Sequence, residues 1–529
     1  MPALCPRLLL TVALVSLPLA VPAPAAPAGP GRPNVLLIMA DDLGFSDLGC
    51  YGGEIRTPNL DRLASDGMRF TQFYNAAVCW DSRSACLAGL YPRPGRLEPN
   101  MVTTGDVMKE AGYRTALIGK WHTSSGPANH PNARGFEEFY GFITGQVNYF
   151  RPSRSLWGSE DRWFHHNARQ LKLEDFPPGY YTTDAFSGHA VGFIREAVRA
   201  GRPFFINLCY NAPHTPLHAL PEDIARYRGR YREGYFRLRE ERLKRQLALG
   251  LFDPKVTRMT GPDRPTNAFY HDYDIPAWEA LAPEDRRYQE EAMEVYAAVV
   301  DRLDQGVGRV LAALEETGQA PNTIVLFVSD NGGSPQVSGS PRDPHPMGSG
   351  ERYVAVGPGW GWAQNAPFRR HKAWTYEGGI CTPMIVRWPG KVRPGAIVHE
   401  PSHLVDVMPT LLEIIGRTYP RTTKGRATPP LEGRSLVPIL REQPVGPRPQ
   451  PMFFWEFRSS RALRDGPWKI VWGSGSRRWE LYNLAEDRAE STNLASREPK
   501  RLQQMIAAWE EKARTIAPLD FDPTVKGKK

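Results

Sequence analysis

The chain has 529 residues, enough for one large core or for two or three domains. With 41% hydrophobic and 23% charged residues, its composition is that of a soluble globular protein. The formal net charge of +9 fits an arginine-rich solvated surface or a preference for anionic substrates, and the absence of a Lys/Arg-rich block or zinc-finger spacing argues against nucleic acid.

Residues 1–26 read as a secretory signal. Arg7 supplies a positive start, Leu8 to Leu19 is apolar, and Ala23-Pro24-Ala25 is a small-residue exit. The apolar run is too short to span a bilayer stably, and no later segment reaches that length. The expectation is an exported protein, secreted or periplasmic, without a stable membrane span. Pro22 to Pro33 is a Pro-, Ala- and Gly-rich leader. Once Cys5 leaves with the signal, Cys50, Cys79, Cys86, Cys209 and Cys381 remain. An odd count leaves at least one thiol unpaired. The spacing suggests no disulfide-stapled fold, and Cys50 and Cys209 read as small buried apolar residues.

Asn34 to Ala40 is a continuous apolar run, suited to a strand of a parallel sheet covered on both faces. Asp41-Asp42 follow at its end, where open α/β sheets place ligands. Two adjacent carboxylates repel unless a cation lies between them, or they sit in a solvated turn. Thr57 to Gly67 reads as a helix with Pro58 at its start and Gly67 as its cap. Met68 to Val78 alternates like a half-buried strand. It leads into Cys79-Trp80-Asp81-Ser82-Arg83-Ser84-Ala85, read as a helix opening with Ser82 as a candidate N-cap. Cys79 at such a junction is either a buried free thiol or a nucleophile beside a cation, since helix N-termini favour anions.

Thr104 to Ala111 reads as an amphipathic helix. Arg114 to Gly119 is a strand ending at Lys120-Trp121-His122, which brings a fixed cation and a titratable group to one rim. Pro203 to Tyr210 is a strand leading into Asn211-Ala-Pro-His214-Thr-Pro-Leu-His218. The arginine-rich stretch 221–251 reads as a solvated helix covering the sheet. Glu290 to Thr317 is a long amphipathic helix, followed by a second buried-strand run, Asn322 to Ser329, ending in Asp330-Asn331. Two oxygen-bearing pairs at two strand ends suit a hard cation. Gly332 to Gln364 is long enough to be a functional loop. Lys372 stands in Lys-Ala-Trp-Thr-Tyr-Glu-Gly-Gly379, followed by a strand at Thr382 to Pro389 and a helix within Ser402 to Gly416 that Asp406 opens. Residues 417–451 read as a Pro- and Arg-rich linker. Short strands near 452–456, 461–464, 468–472 and 479–482, with a closing helix at 502–516, suit a small antiparallel sheet with one helix on it.

The stretch Cys79-Trp-Asp-Ser-Arg83-Ser-Ala85, with Leu87 and Gly89-Leu90, resembles the sulfatase signature Cys-x-Pro-Ser-Arg. It departs at Asp81, where the family has Pro or Ala. Thr57-Pro-Asn-Leu-Asp, Gly119-Lys-Trp-His122, Ala212-Pro-His-Thr-Pro-Leu217 and Lys372 to Gly379 are similar to further sulfatase segments, in the family's order, from about Asn34 to Leu502. The resemblance implies an α/β, alkaline-phosphatase-like sandwich with a mostly parallel central sheet, a catalytic domain over 33–416 and a C-terminal antiparallel subdomain over 452–520. It implies arylsulfatase-like hydrolysis of a sulfate ester, with Cys79 converted to formylglycine by the formylglycine-generating enzyme. Asp41, Asp42, Asp330 and Asn331 would hold calcium, or magnesium. Arg83, Lys120 and Lys372 would neutralise sulfate, His214 would protonate the leaving group, and His122 would release sulfate from the enzyme. The substrate would be a sulfated small molecule or carbohydrate, with specificity expected from Tyr149, Phe150, Trp157, Trp163 and Trp360. A phosphatase or phosphonate hydrolase on the same fold, and a binding protein with unmatured Cys79, are the alternatives.

Overall fold

The apolar runs form the middle of an eleven-stranded sheet in the computed structural model, which describes residues 32–92, 97–123, 126–152, 163–262, 274–446, 448, 452–457, 460–473 and 478–516. Strand Asn34–Ala40, buried along its whole length, lies between Phe204–Cys209 and Thr323–Ser329 and is parallel to both. Arg114–Lys120 continues the parallel block beyond Phe204–Cys209. Four parallel strands therefore end on the same edge. Cys381–Arg387 runs antiparallel beside Thr323–Ser329, so its beginning, and the segment that carries Lys372, reach that edge too. Both faces are covered: one apolar cluster contains Ile38, Leu208 and Phe327, the other Leu37, Leu326 and Val386. This is the expected mixed, mostly parallel sandwich.

Helix Pro58–Ser65 ends one residue earlier than the glycine cap expected, at Asp66. The long helix starts earlier than its apolar stripe, spanning Pro283–Glu316, with Pro283 in its first turn. The arginine-rich stretch departs most from expectation. Helix Gly234–Ala248 buries Arg239, Arg242 and Gln246 completely. Arg239 donates to the carbonyls of Trp362, Pro367 and Phe368, and Arg242 pairs with Asp47 and Glu54. A guanidinium's planar fork satisfies several buried acceptors at once, which lets this face sit inside.

The 417–451 stretch is not a bare connector. Its helix Val437–Leu440 puts Val437, Ile439 and Leu440 into the core beside Leu411 and Leu412. Four antiparallel strands follow, Met452–Phe457, Ser460–Asp465, Trp468–Gly473 and Arg478–Asn483, with helix Pro499–Ile516 packed on them through Met505 and Trp509. This small sheet is tied to the large one through Glu377. Its carboxylate meets Lys469 at 2.7 Å, Arg488, and the Tyr74 hydroxyl at 2.8 Å, all buried. All five described cysteines are free and buried.

Candidate active site

The expected residues converge at the shared strand edge. The turn after Asn34–Ala40 places Asp42 in the left-handed region, φ 66°. That conformation is held from behind: Gly44 N–H and the Tyr296 hydroxyl both donate to Asp47 Oδ2 at 2.7 Å, and Arg242 donates to Asp47 Oδ1 at 2.6 Å. Asp42 N–H donates to Asp330 Oδ1 at 3.2 Å, which links the two strand ends. Strand Arg114–Lys120 delivers Lys120 after Gly119, at φ 106°, where any Cβ would stand 1.9 Å from the Cys209 carbonyl oxygen. Only glycine lets that strand approach its neighbour so closely.

Helix Cys79–Ala88 begins at Cys79, with Val78 as its N-cap. Ser82 is not the cap. Its hydroxyl lies inside the helix and accepts the Ala76 N–H at 2.9 Å, fixing the turn before Cys79. Asp81 is buried in the first turn, where the helix dipole favours a negative charge. Arg83 donates from Nε to Asp330 Oδ2 at 3.0 Å and from Nη1 to the Lys120 carbonyl at 2.9 Å. It thereby joins the Asp330 and Lys120 strand ends beneath Cys79.

Three cations face three carboxylates. Lys120 Nζ lies 2.6 Å from Asp41 Oδ2, Lys372 Nζ 2.6 Å from Asp42 Oδ1, and Arg83 Nη2 2.8 Å from Asp330 Oδ2. All six side chains are buried. Burial alone would raise the Asp42 carboxyl, but His214 when its ring is protonated, together with Lys372 and Lys120, outweighs it and holds the group well below the usual carboxylate range. Asp330 goes the other way: burial, reinforced by Asp41, lifts it to about 6 against the pull of Arg83. Burial raises the Cys79 thiol although Lys120 and Lys372 oppose it.

Both histidines are kept neutral. Burial, with Lys120 and Arg83 nearby, pushes His122 far below its ordinary value. Burial, helped by Lys372 and Lys120 and opposed by Asp42, takes His214 to about 3. His214 Nδ1 faces the Thr215 carbonyl, which can only accept, so Nδ1 carries the proton and Nε2 is the working nitrogen. Nε2 lies 3.6 Å from Asp42 Oδ2.

The oxygens fit a hard cation. Asp41 Oδ1, Asp42 Oδ2 and Asn331 Oδ1 are buried with no hydrogen-bond partner among the described residues. Such atoms are costly unless a ligand satisfies them. Asp330 differs from the other three, because both its oxygens already accept, from Asp42 N–H and from Arg83. Donor atoms of Asp41, Asp42 and His214 lie within 4.8 Å of one another, so His214 borders the same space.

The expected specificity residues fare differently. Trp360 is a core residue, packed on Tyr231, Tyr235 and Trp278. Tyr149 is buried and its hydroxyl donates to the carbonyls of Asn211 and His214, so it supports the His214 turn from inside. Phe150 packs on Tyr181 with ring centroids 5.1 Å apart. Trp163 is exposed on the surface, and Trp157 lies outside the described residues. His218 is structural: its Nδ1 faces the Tyr149 N–H at 3.3 Å. A residue that the sequence did not mark is Trp80, half-buried, whose ring lies edge-on to His122 with centroids 5.6 Å apart and meets Phe457 of the C-terminal sheet at 5.7 Å. Trp80 stood inside the signature, but no local signal points to Phe457.

Comparisons with known proteins show the family. Residues 33–417 match the sulfatase family model, and residues 368–516 match the one described as N-sulphoglucosamine sulphohydrolase, C-terminal. An uncharacterized sulfatase of Schizosaccharomyces pombe is 31% identical, covering 93% of this chain and 96% of its own length. An arylsulfatase of Klebsiella aerogenes is 32% identical, covering 77% and 92%. The crystal structure of Ps i-CgsB in complex with k-i-k-neocarrahexaose superposes with a TM-score of 0.68 at 27% identity, covering 94% of this chain and 96% of that one. The chain belongs to the sulfatase family of the alkaline-phosphatase-like superfamily and is a sulfuric ester hydrolase.

Proposed function

We propose that the protein hydrolyses a sulfate monoester through a formylglycine made from Cys79, with a calcium ion, or magnesium, at Asp41, Asp42, Asp330 and Asn331. The observation that carries the metal is the set of buried carboxylate and amide oxygens without partners beside Cys79. Arg83, Lys120 and Lys372 balance the three carboxylates, so a divalent cation leaves two positive charges for the substrate anion. When bound, it polarises the sulfate oxygens and stabilises charge that grows on them.

The chain's own groups do the rest. One hydroxyl of the hydrated aldehyde at position 79 attacks sulfur in line and loses its proton to solvent, and the ester oxygen leaves. His214 Nε2, protonated once the anion is bound, gives its proton to that oxygen, assisted by Lys372. His122 then takes the proton of the remaining hydroxyl at residue 79. The carbonyl re-forms, the bond to sulfate breaks, and sulfate departs. Arg83 holds the hydrate against the Asp330 strand end. The formylglycine-generating enzyme is the partner this maturation requires.

The same reading takes residues 1–26 as an export signal. Among the described residues, no helix is long and apolar enough to cross a membrane. The catalytic unit covers 33–416 and the C-terminal subdomain 452–520. Sulfated carbohydrates are the favoured substrate class, supported by the neocarrahexaose complex of Ps i-CgsB. Turnover of p-nitrophenyl sulfate by the mature protein, lost in Cys79→Ala, tests the function. Undiminished turnover in that variant removes Cys79 from the chemistry.

A further inference from the structure

The loops flanking the two histidines are joined by a chain of neutral side chains. Gly145 abuts His122, because a Cβ there would stand 2.8 Å from His122 Cε1. The next residue, Gln146, accepts at Oε1 from the Tyr353 hydroxyl at 3.4 Å. Gln336 Nε2 donates to that hydroxyl at 2.8 Å, and Gln336 Oε1 accepts from the Thr215 hydroxyl at 2.6 Å. The Thr215 carbonyl holds His214 Nδ1. The chain thus arcs from one histidine to the other. Gln146, Gln336 and Tyr353 are half-buried, so each keeps some surface exposed. Against His122 stands the ring of Trp80, backed by Phe457.

These groups suit one kind of leaving group. Amides and hydroxyls donate and accept, and can exchange partners with the hydroxyls of a sugar. An aromatic ring offers the apolar contact that a pyranose C–H face needs. None of the four arc side chains carries a charge. A second sulfate or a carboxylate placed there would lose water and gain no cation from the arc.

We propose that Gln146, Gln336, Tyr353 and Thr215, with Trp80, form the leaving-group subsite, and that it selects a neutral, hydroxylated ring bearing a single sulfate over one bearing a second anionic group. The proposal rests on the sulfate-ester reading above and names its substrate class.

The test is kcat/KM of the full-length mature protein on a panel of methyl hexoside monosulfates and their disulfated counterparts, with p-nitrophenyl sulfate as reference. At least one monosulfate should be turned over about tenfold or more better than its disulfate, the size expected when a polar group loses its partner. Gln336→Lys puts a cation into the arc and should move that ratio toward the disulfate. Tyr353→Phe should lower the hexoside rate more than the aryl sulfate rate. Disulfates turned over as well as monosulfates, a ratio that Gln336→Lys leaves unmoved, or turnover confined to the aryl sulfate would each overturn the subsite. Protein with converted Cys79 that turns over none of these, aryl sulfate included, would overturn the sulfate-ester reading instead.

Discussion

Asp42 receives the ammonium of Lys372 on Oδ1 at 2.6 Å and leaves Oδ2 buried without a hydrogen-bond partner among the described residues. In the proposed mechanism one carboxylate thus joins the lysine that would meet sulfate to the place a cation would take. Lys372 fixes the orientation, and the bare oxygen points to a cation.

Asp41 shares this arrangement with Lys120, and its Oδ1 is bare in the same way. Asp41→Ala should abolish both divalent-cation binding and activity. Calorimetry on wild type and variant, titrated with Ca²⁺, decides it. Unchanged affinity in Asp41→Ala would remove the metal site from this account.

The two histidines should separate kinetically. His214→Ala should slow esters with poor leaving groups by about a hundredfold to ten-thousandfold and activated aryl sulfates far less, because a good leaving group needs no proton. His122→Ala should trap a sulfated enzyme after one turnover, visible as an added mass on the peptide holding residue 79. Equal losses on every substrate, with no adduct in either variant, would contradict the assignment.

Glu377 fastens the C-terminal sheet. Burial pushes its carboxyl up, but Arg488 and Lys469 overcome that and hold it down to about 2 against an ordinary 4.5. A lowered folded-state value means that its contribution to stability is present above about pH 4.5 and is lost as pH falls toward 2. Glu377→Gln should cost roughly 3 kcal/mol at neutral pH, since it strips one partner from buried cations. The gap in Tm between wild type and variant should narrow on acidification through that window. A gap that stays constant would mean that the carboxylate charge contributes nothing.

Asp81 stands where the family has Pro or Ala. If the proposed maturation reads this position as an apolar one, a carboxylate there costs on the order of a few kcal/mol when unpaired. Conversion of Cys79 should therefore be incomplete. In the folded protein Asp81 lies in the first turn of helix Cys79–Ala88, where a proline is also tolerated. Asp81→Pro should raise aryl sulfatase activity per milligram. No gain would show that the departure is tolerated.

Strand ends were the most legible part of the molecule. Asn34 to Ala40 and Asn322 to Ser329 are apolar without alternation, and the polar groups that follow each run fall at one sheet edge. Asp41, Asp42, Asp330, Asn331, both lysines, Arg83 and both histidines were singled out this way, with the family motifs, and the fold gathers them at that edge. Burial was harder to read. Arg239 and Arg242 looked solvated, because local pattern does not reveal that distant carbonyls and carboxylates await them. Trp360, which lies in the helix Gly357–Gln364 rather than in a loop, and Tyr149 are both buried in the core. The polar residues Gln146, Gln336 and Tyr353 face one another only after folding brings together segments some two hundred residues apart.

The central claim is that residue 79 acts as formylglycine. The most direct test is the mass of the tryptic peptide holding residue 79, taken from active protein. The account predicts a fraction carrying the loss that replacing CH2SH by CHO demands, and a specific activity that rises in proportion to that fraction across preparations. Fully active protein in which residue 79 is entirely the thiol would contradict it.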